Sequence, residues 1–151
     1  MADLIVRQAC AADQAAITAL VRAERLNPNG LDWQNFLVAV QGGEIVGAGQ
    51  IRRHPDGSRE VGSLVVAPRY RGRGVAKRLL DALLVDPPAD LFLVTSQALA
   101  GYYERWGFRS TGVLATPRCV RRNFILGQMA GILSLMKRRR PRRLVILKQA
   151  A

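Results

Sequence analysis

The chain has one histidine, His54, and two cysteines, Cys10 and Cys119, among 151 residues. His54 precedes the turn sequence Pro55-Asp56-Gly57 and is expected to be a solvated turn residue. That leaves no histidine for a nucleophilic triad or a histidine-rich metal site. Two cysteines so far apart make neither a disulfide framework nor a zinc cluster, and both are expected to be buried small hydrophobes. No apolar run reaches the ~18 residues of a membrane-spanning helix. The start, Met-Ala-Asp-Leu-Ile-Val-Arg, lacks the basic-then-apolar layout of a signal peptide. A soluble, cytoplasmic protein is expected. No Walker A loop is present, and a dinucleotide fingerprint would need a third glycine where Lys77 stands. Acid is missing from the last third: residues 105–151 hold 12 basic side chains and no acidic one, so the whole formal net charge of +12 lies there. Such asymmetry calls for an anionic partner, whether coenzyme, nucleic acid, membrane surface or acidic protein.

What is present centres on residues 64–80, Leu-Val-Val-Ala-Pro-Arg-Tyr-Arg-Gly-Arg-Gly-Val-Ala-Lys-Arg-Leu-Leu. An apolar strand ends at Pro68, a turn Arg71-Gly72-Arg73-Gly74 follows, and an amphipathic helix starts at Val75. Glycines let a backbone approach an anion closely. The helix N-terminus then supplies unpaired N–H groups and the positive end of its dipole, which suits a pyrophosphate. An ordinary strand-to-helix turn with solvated arginines has the same local pattern.

The remaining elements follow from periodicity. Strands are expected at residues 4–7, 36–40, 45–52, 60–66, 91–95, 108–114 and 144–147, and helices at 12–25, from Val75, and at 99–106. Gly42-Gly43 and Pro55-Asp56-Gly57 mark hairpins, Pro87-Pro88 ends the second helix, and Gly107 suits a C-terminal cap. Early hairpins followed by a strand-helix-strand crossover argue a mixed α+β or α/β sheet. A single domain spans 1–151.

On Arg71-x-x-Gly74-x-Ala76 and Tyr103-Glu104-Arg105-Trp106-Gly107-Phe108, the sequence resembles the GCN5-related N-acetyltransferases. The resemblance implies their fold, a central mixed, mostly antiparallel seven-stranded sheet with splayed fourth and fifth strands and flanking helices. It also implies acetyl transfer from acetyl-CoA to a primary amine, with no metal. Under it, the backbone of Leu64, Val65 and Val66 would meet the thioester, and Arg71, Gly72, Arg73, Gly74, Val75 and Ala76 the pyrophosphate. Tyr103 would be the general acid, or else a core aromatic. Many relatives carry an asparagine where this chain has Ser96, a shorter hydrogen-bonding group for the pantetheine arm. Glu60 would be the base acting through water, or else an exposed strand-edge acid opposite Arg52 or Arg53. Leu31, Trp33 and Phe36 would line the acceptor site. The acceptor is expected to be a protein lysine or N-terminal amine, with polyamines and small metabolites also open.

Residues 116–142 form an atypical insertion before the last strand, apolar over 124–136 and basic over 137–143. A core or dimer-interface helix followed by a solvated basic loop is expected, against a lid over the acceptor or a docking segment. Arg138, Arg139 and Arg140 are candidate contacts for an acidic macromolecule. The competing reading is a non-catalytic acetyl-CoA-fold binding module whose basic third engages nucleic acid or an acidic protein. Both monomer and homodimer fit the sequence.

Overall fold

The computed structural model describes residues 3–135 and 143–150. Two compact units divide the chain, the first from residues 1–52 and 61–87, the second from 53–60 and 88–151.

In the first unit, alternation of apolar residues gives β1 (Ile5–Gln8), β2 (Phe36–Gln41), β3 (Glu44–Arg53) and β4 (Arg59–Val66), in that order across the sheet. The end of β3 and the start of β4 belong to the second unit. β1 runs antiparallel to β2, and β2 to β3. Gly42 and Gly43 take φ of 58° and 78° in the connecting turn, as their sequence requires. Helix α1 (Gln14–Ala23) is entered through a 3-10 turn, Ala11–Asp13. The Asp13 carboxylate accepts the Cys10 amide at 2.8 Å and both ends of the Arg7 guanidinium, at 2.7 and 3.1 Å. Burial of Ile17 and Val21 against Phe36, Val38, Ala48 and Val65 fixes α1 to the strands.

Helix α2 (Val75–Leu83) buries Val75 and Leu79 against Ala39 and Val46. β3 gives way to it: a Cβ on Gly47 would sit 2.9 Å from Val75, 3.1 Å from the Val65 carbonyl and 3.2 Å from Leu79. The glycine thereby sets how closely α2, and the turn that starts it, lies on the strands.

The second unit contains β5 (Leu91–Ser96), α3 (Ala100–Tyr103), β6 (Phe108–Ser110), α4 (Arg118–Leu135) and β7 (Leu144–Gln149). Its strands lie in the order β5-β7-β6, each pair antiparallel. Near-continuous burial along β5 matches its apolar sequence. Gly107, at φ 80°, closes the 3-10 turn Glu104–Trp106 that extends α3. The seven strands and their helices give the expected α/β class.

Three expectations change. The sixth strand is three residues long, because the chain turns at Gly112 into a 3-10 turn, Val113–Ala115. Cys10 is exposed rather than buried, since it stands outside the first helical turn as its N-cap, and Cys119 is half-buried. Within 116–142, residues 118–135 form the long helix α4, packed through Val120 and Phe124 on Phe92 and Ile146. The basic residues Arg138, Arg139 and Arg140 lie outside the described residues.

Candidate active site

The turn before α2 starts the helix on glycines in the left-handed region. Gly72 and Gly74 adopt φ of 73° and 78°, and Gly74 is the N-cap, so no side chain caps the helix. The first bond of the helix runs from the Arg78 amide to the Gly74 carbonyl at 3.0 Å. The amides of Val75, Ala76 and Lys77 precede it and have no intrahelical acceptor. A Cβ at Gly72 or Gly74 would meet nothing within 4 Å, so the space beside these two glycines is open. The basic side chains around the turn are held in place. Arg71 pairs with Glu24 and donates to the Val66 carbonyl at 3.3 Å. Arg69 pairs with Glu44, and the guanidinium carbons of Arg69 and Arg73 lie 5.1 and 5.7 Å from the Tyr70 ring centre. Lys77 bonds Asp81 at 2.6 Å, one turn along α2.

Leu64, Val65 and Val66 form the end of β4. Val65 is buried with the α1 core, whereas Leu64 and Val66 pack with the α2 core. Just before them Ser63 has φ 50°, a left-handed conformation that a non-glycine residue adopts only under constraint. Its hydroxyl accepts from Gln50 at 3.2 Å and from Arg52 at 3.1 Å, which supplies that constraint. Glu60 and Val61 are neighbours in sequence and both are buried, so the alternation of β4 is broken ahead of residues 64–66.

Glu60 is not an exposed edge acid. Its side chain is 6% exposed; Oε2 lies 2.7 Å from His54 Nε2 and accepts from Asn123 Nδ2 at 3.0 Å. His54, whose side chain is 5% exposed, is therefore no solvated turn residue. The hairpin folds back so that residues 54 and 60 face each other, and α4 covers the pair with Asn123. Asp56 at the hairpin tip accepts the Cys119 amide at 2.9 Å and so caps the start of α4. Sequence reading missed Asn123 altogether: an asparagine inside an apolar helix carries no signal of its own.

Tyr103 is 8% exposed and shares a hydrogen bond with Thr95 of β5. Burial raises its phenol above the ordinary tyrosine value, and the Thr95 hydroxyl offsets part of that rise. Its ring packs edge-on to Tyr102 and Phe108, at 5.4 and 6.3 Å between centres. Ser96 ends β5, paired with Leu144 of β7. Tyr103 and Glu60 are thus held by separate networks.

Leu31 and Trp33 pack half-buried on the α1 core, and both keep exposed surface. Phe36 does not: it is fully buried at the start of β2, a core residue rather than an acceptor-wall side chain. Gln14 ties the loop down, donating to the Leu31 carbonyl at 2.6 Å and accepting the Trp33 amide at 3.0 Å.

Residues 32–110 match the family model of the acetyltransferase (GNAT) domain, and this stretch holds β2 to β6 and both sequence motifs. The chain belongs to the GNAT family. Comparison with curated proteins finds no match. Solved structures place this GNAT chain in the same fold. Rv2747 from Mycobacterium tuberculosis, in complex with CoA and NLQ, is 21% identical at a TM-score of 0.72, covering 97% of this chain and 99% of that one. Diaminobutyrate acetyltransferase EctA from Paenibacillus lautus, with L-2,4-diaminobutyric acid and coenzyme A, is 18% identical at 0.64, covering 98% and 96%. N-acetylglutamate synthase from Neisseria gonorrhoeae, with coenzyme A and N-acetyl-glutamate, is 16% identical at 0.70. All of this chain aligns there, but it spans only 36% of that protein.

Proposed function

We propose that the chain transfers an acetyl group from acetyl-CoA to a primary amine by direct attack. The observation that carries the reading is the α2 N-terminus, where no side chain caps the helix and the space beside Gly72 and Gly74 is open. Arg71, Gly72, Arg73, Gly74, Val75 and Ala76 bind the pyrophosphate, mainly through backbone N–H groups. The backbone amides of Leu64, Val65 and Val66 stabilise the thioester oxygen as it becomes an oxyanion.

An alkylammonium has a pKa near ~10.4, so the acceptor must lose a proton before it attacks. Glu60 takes that proton, directly or through water, with Oε2 fixed by His54 and Asn123. The amine nitrogen then bonds the acetyl carbon, the C–S bond breaks, and the second proton leaves the nitrogen for the Tyr103 oxygen once that group has given its own to the sulfur. Tyr103 donates its phenol proton to the departing sulfur, and Ser96 hydrogen-bonds the pantetheine arm. Leu31 and Trp33 form the acceptor wall. Two of the fold neighbours named above were solved with N-acetyl-glutamate and L-2,4-diaminobutyric acid, so small amino-acid amines belong beside protein lysines and N-terminal amines in an acceptor screen.

Titration calorimetry with acetyl-CoA tests the central claim. Gly74→Val strains a residue at φ 78° and fills the open space with branched carbons. Affinity should fall at least tenfold, about 1.4 kcal/mol or more. Unchanged affinity in a folded variant removes the turn from the coenzyme site.

A further inference from the structure

Helix α4 has two unlike faces. Inward lie Val120, Phe124 and Asn123, with Gln128 accepting the Leu144 amide at 3.4 Å. Outward, at the spacing of one helical stripe, lie Arg118, Arg122, Ile125, Leu126 and Met129. The three apolar members are 46%, 54% and 55% exposed, unusual for large side chains set side by side. A surface groove of about 400 Å³ is lined by Arg118, Arg121, Arg122, Ile125 and Leu126, so the basic and apolar parts make one continuous surface.

We propose that this outer face of α4 docks on an anionic lipid surface, with Ile125, Leu126 and Met129 entering the headgroup boundary and Arg118, Arg121 and Arg122 meeting the phosphates. Charge and apolarity together select this occupant. The last third of the chain carries 12 basic groups and no acid, so an anionic partner is favoured. A second copy of this face would offer the arginines no counter-charge, because residues 118–135 contain no acid. A nucleic acid would use the arginines but leave three apolar side chains in water, and the stripe offers no aromatic for a base to stack on. A protein partner would need a preformed acidic groove with an apolar floor, whereas a lipid interface supplies both layers without one. Arginine suits the edge of such a face, because its apolar stem lies along the boundary while the guanidinium stays at phosphate level. In the sequence, the apolar stretch of α4 is followed by Lys137 to Arg143, so basic residues flank it on both sides. No described helix is long and apolar enough to cross a membrane, which leaves docking in the interface plane as the mode for α4. The proposal stands independently of the acetyl-transfer reading.

The test is sedimentation of the full chain with vesicles of phosphatidylcholine alone and of phosphatidylcholine mixed with phosphatidylglycerol. Binding should appear with the mixed vesicles only and weaken as salt rises. Arg118→Ser with Arg122→Ser, and separately Ile125→Ser with Met129→Ser, should each lower the partition coefficient at least tenfold. The first pair should also flatten the salt dependence. All four sites lie on the exposed stripe, and circular dichroism checks that the helix persists. Lack of binding to mixed vesicles at low salt overturns the proposal. So does equal binding to neutral vesicles. Wild-type binding by both double variants also overturns it, moving the contact off α4. Tighter binding to duplex DNA than to vesicles, or a dimer that Ile125→Ser with Met129→Ser dissolves, assigns the face to a different partner.

Discussion

Tyr103 is buried, yet its hydroxyl has a protein partner in Thr95. Tyr103→Phe keeps the ring among Tyr102 and Phe108 and removes only the donor. General-acid help is worth roughly 10²–10⁴ in rate, whereas a neutral hydrogen bond adds only about 1 kcal/mol to stability. Turnover should therefore drop at least tenfold with acetyl-CoA affinity nearly unchanged and the fold intact; wild-type turnover would assign Tyr103 to packing. The Glu60 network has its own signature. Glu60→Gln should lower kcat strongly while leaving acetyl-CoA binding in place. His54→Ala removes one of the two side chains seen to hold Oε2 and should lower kcat more than it raises KM for the amine. At this scale the sequence located Tyr103 on the short helix before Gly107 and Glu60 at the start of the fourth strand, where the structure has them. It was unreadable where a role depends on a fold-back: His54 before Pro-Asp-Gly reads as solvent-facing, and only the closed hairpin and α4 bury it.

Two aspartates decide how α1 and α4 begin. Asp13 satisfies the Cys10 amide at the entry to α1 and binds Arg7; Asp56 satisfies Cys119 at the start of α4. The Arg7 guanidinium is the main cause that holds the Asp13 carboxyl well below the usual carboxylate range. For Asp56 the largest cause is the Ser58 hydroxyl, followed by the Cys119 amide. A depressed carboxyl contributes stability that is fully present above its unfolded value, near ~3.9, and is lost as pH falls towards the folded value. Thermal unfolding followed from pH 6 downward should show the midpoint falling below about pH 4. Asp13→Asn and Asp56→Asn should start less stable at neutral pH and show a shallower decline. An unchanged slope in both would place the acid sensitivity elsewhere. Elements with strong periodicity, such as α2 and β5, were legible because apolar spacing and flanking Gly or Pro agreed. β6 was overrun because its apolar residues continue through the 3-10 turn, which spacing cannot tell from a strand.

Over the whole molecule, charge is segregated: residues 1–104 balance, and residues 105–151 carry the entire excess of +12. Repulsion within the second group opposes the compact state and is screened by salt. The Debye length shrinks from about 30 Å at 0.01 M to about 8 Å at 0.15 M. Over that range the unfolding midpoint should rise, and each kcal/mol relieved is worth about 2–4 °C for a chain of this size. A midpoint that falls with salt would show that the ion pairs, such as Arg7–Asp13 and Lys148–Asp90, outweigh the repulsion. Composition made this segregation visible at once. That 116–142 would present a two-faced helix was hidden, because Asn123 and Gln128, polar by type, turn inward to specific partners.

The hairpin and α4 are joined by two bonds, Asp56 to the Cys119 amide and Glu60 to Asn123, and each closes a loop of 63 residues. Closure entropy rises only slowly with loop length, so such bonds are affordable at equilibrium. Kinetically they are remote, since non-local contacts reward the chain only after the intervening segments are in place. On a ribosome the hairpin emerges long before α4 does. Glu60 then waits without Asn123, and Asp56 without the Cys119 amide that it later accepts. The network that holds the Glu60 carboxylate is thus completed only once α4 has been made, and a nascent chain stopped before residue 119 would carry Glu60 and the turn before α2 but not Asn123.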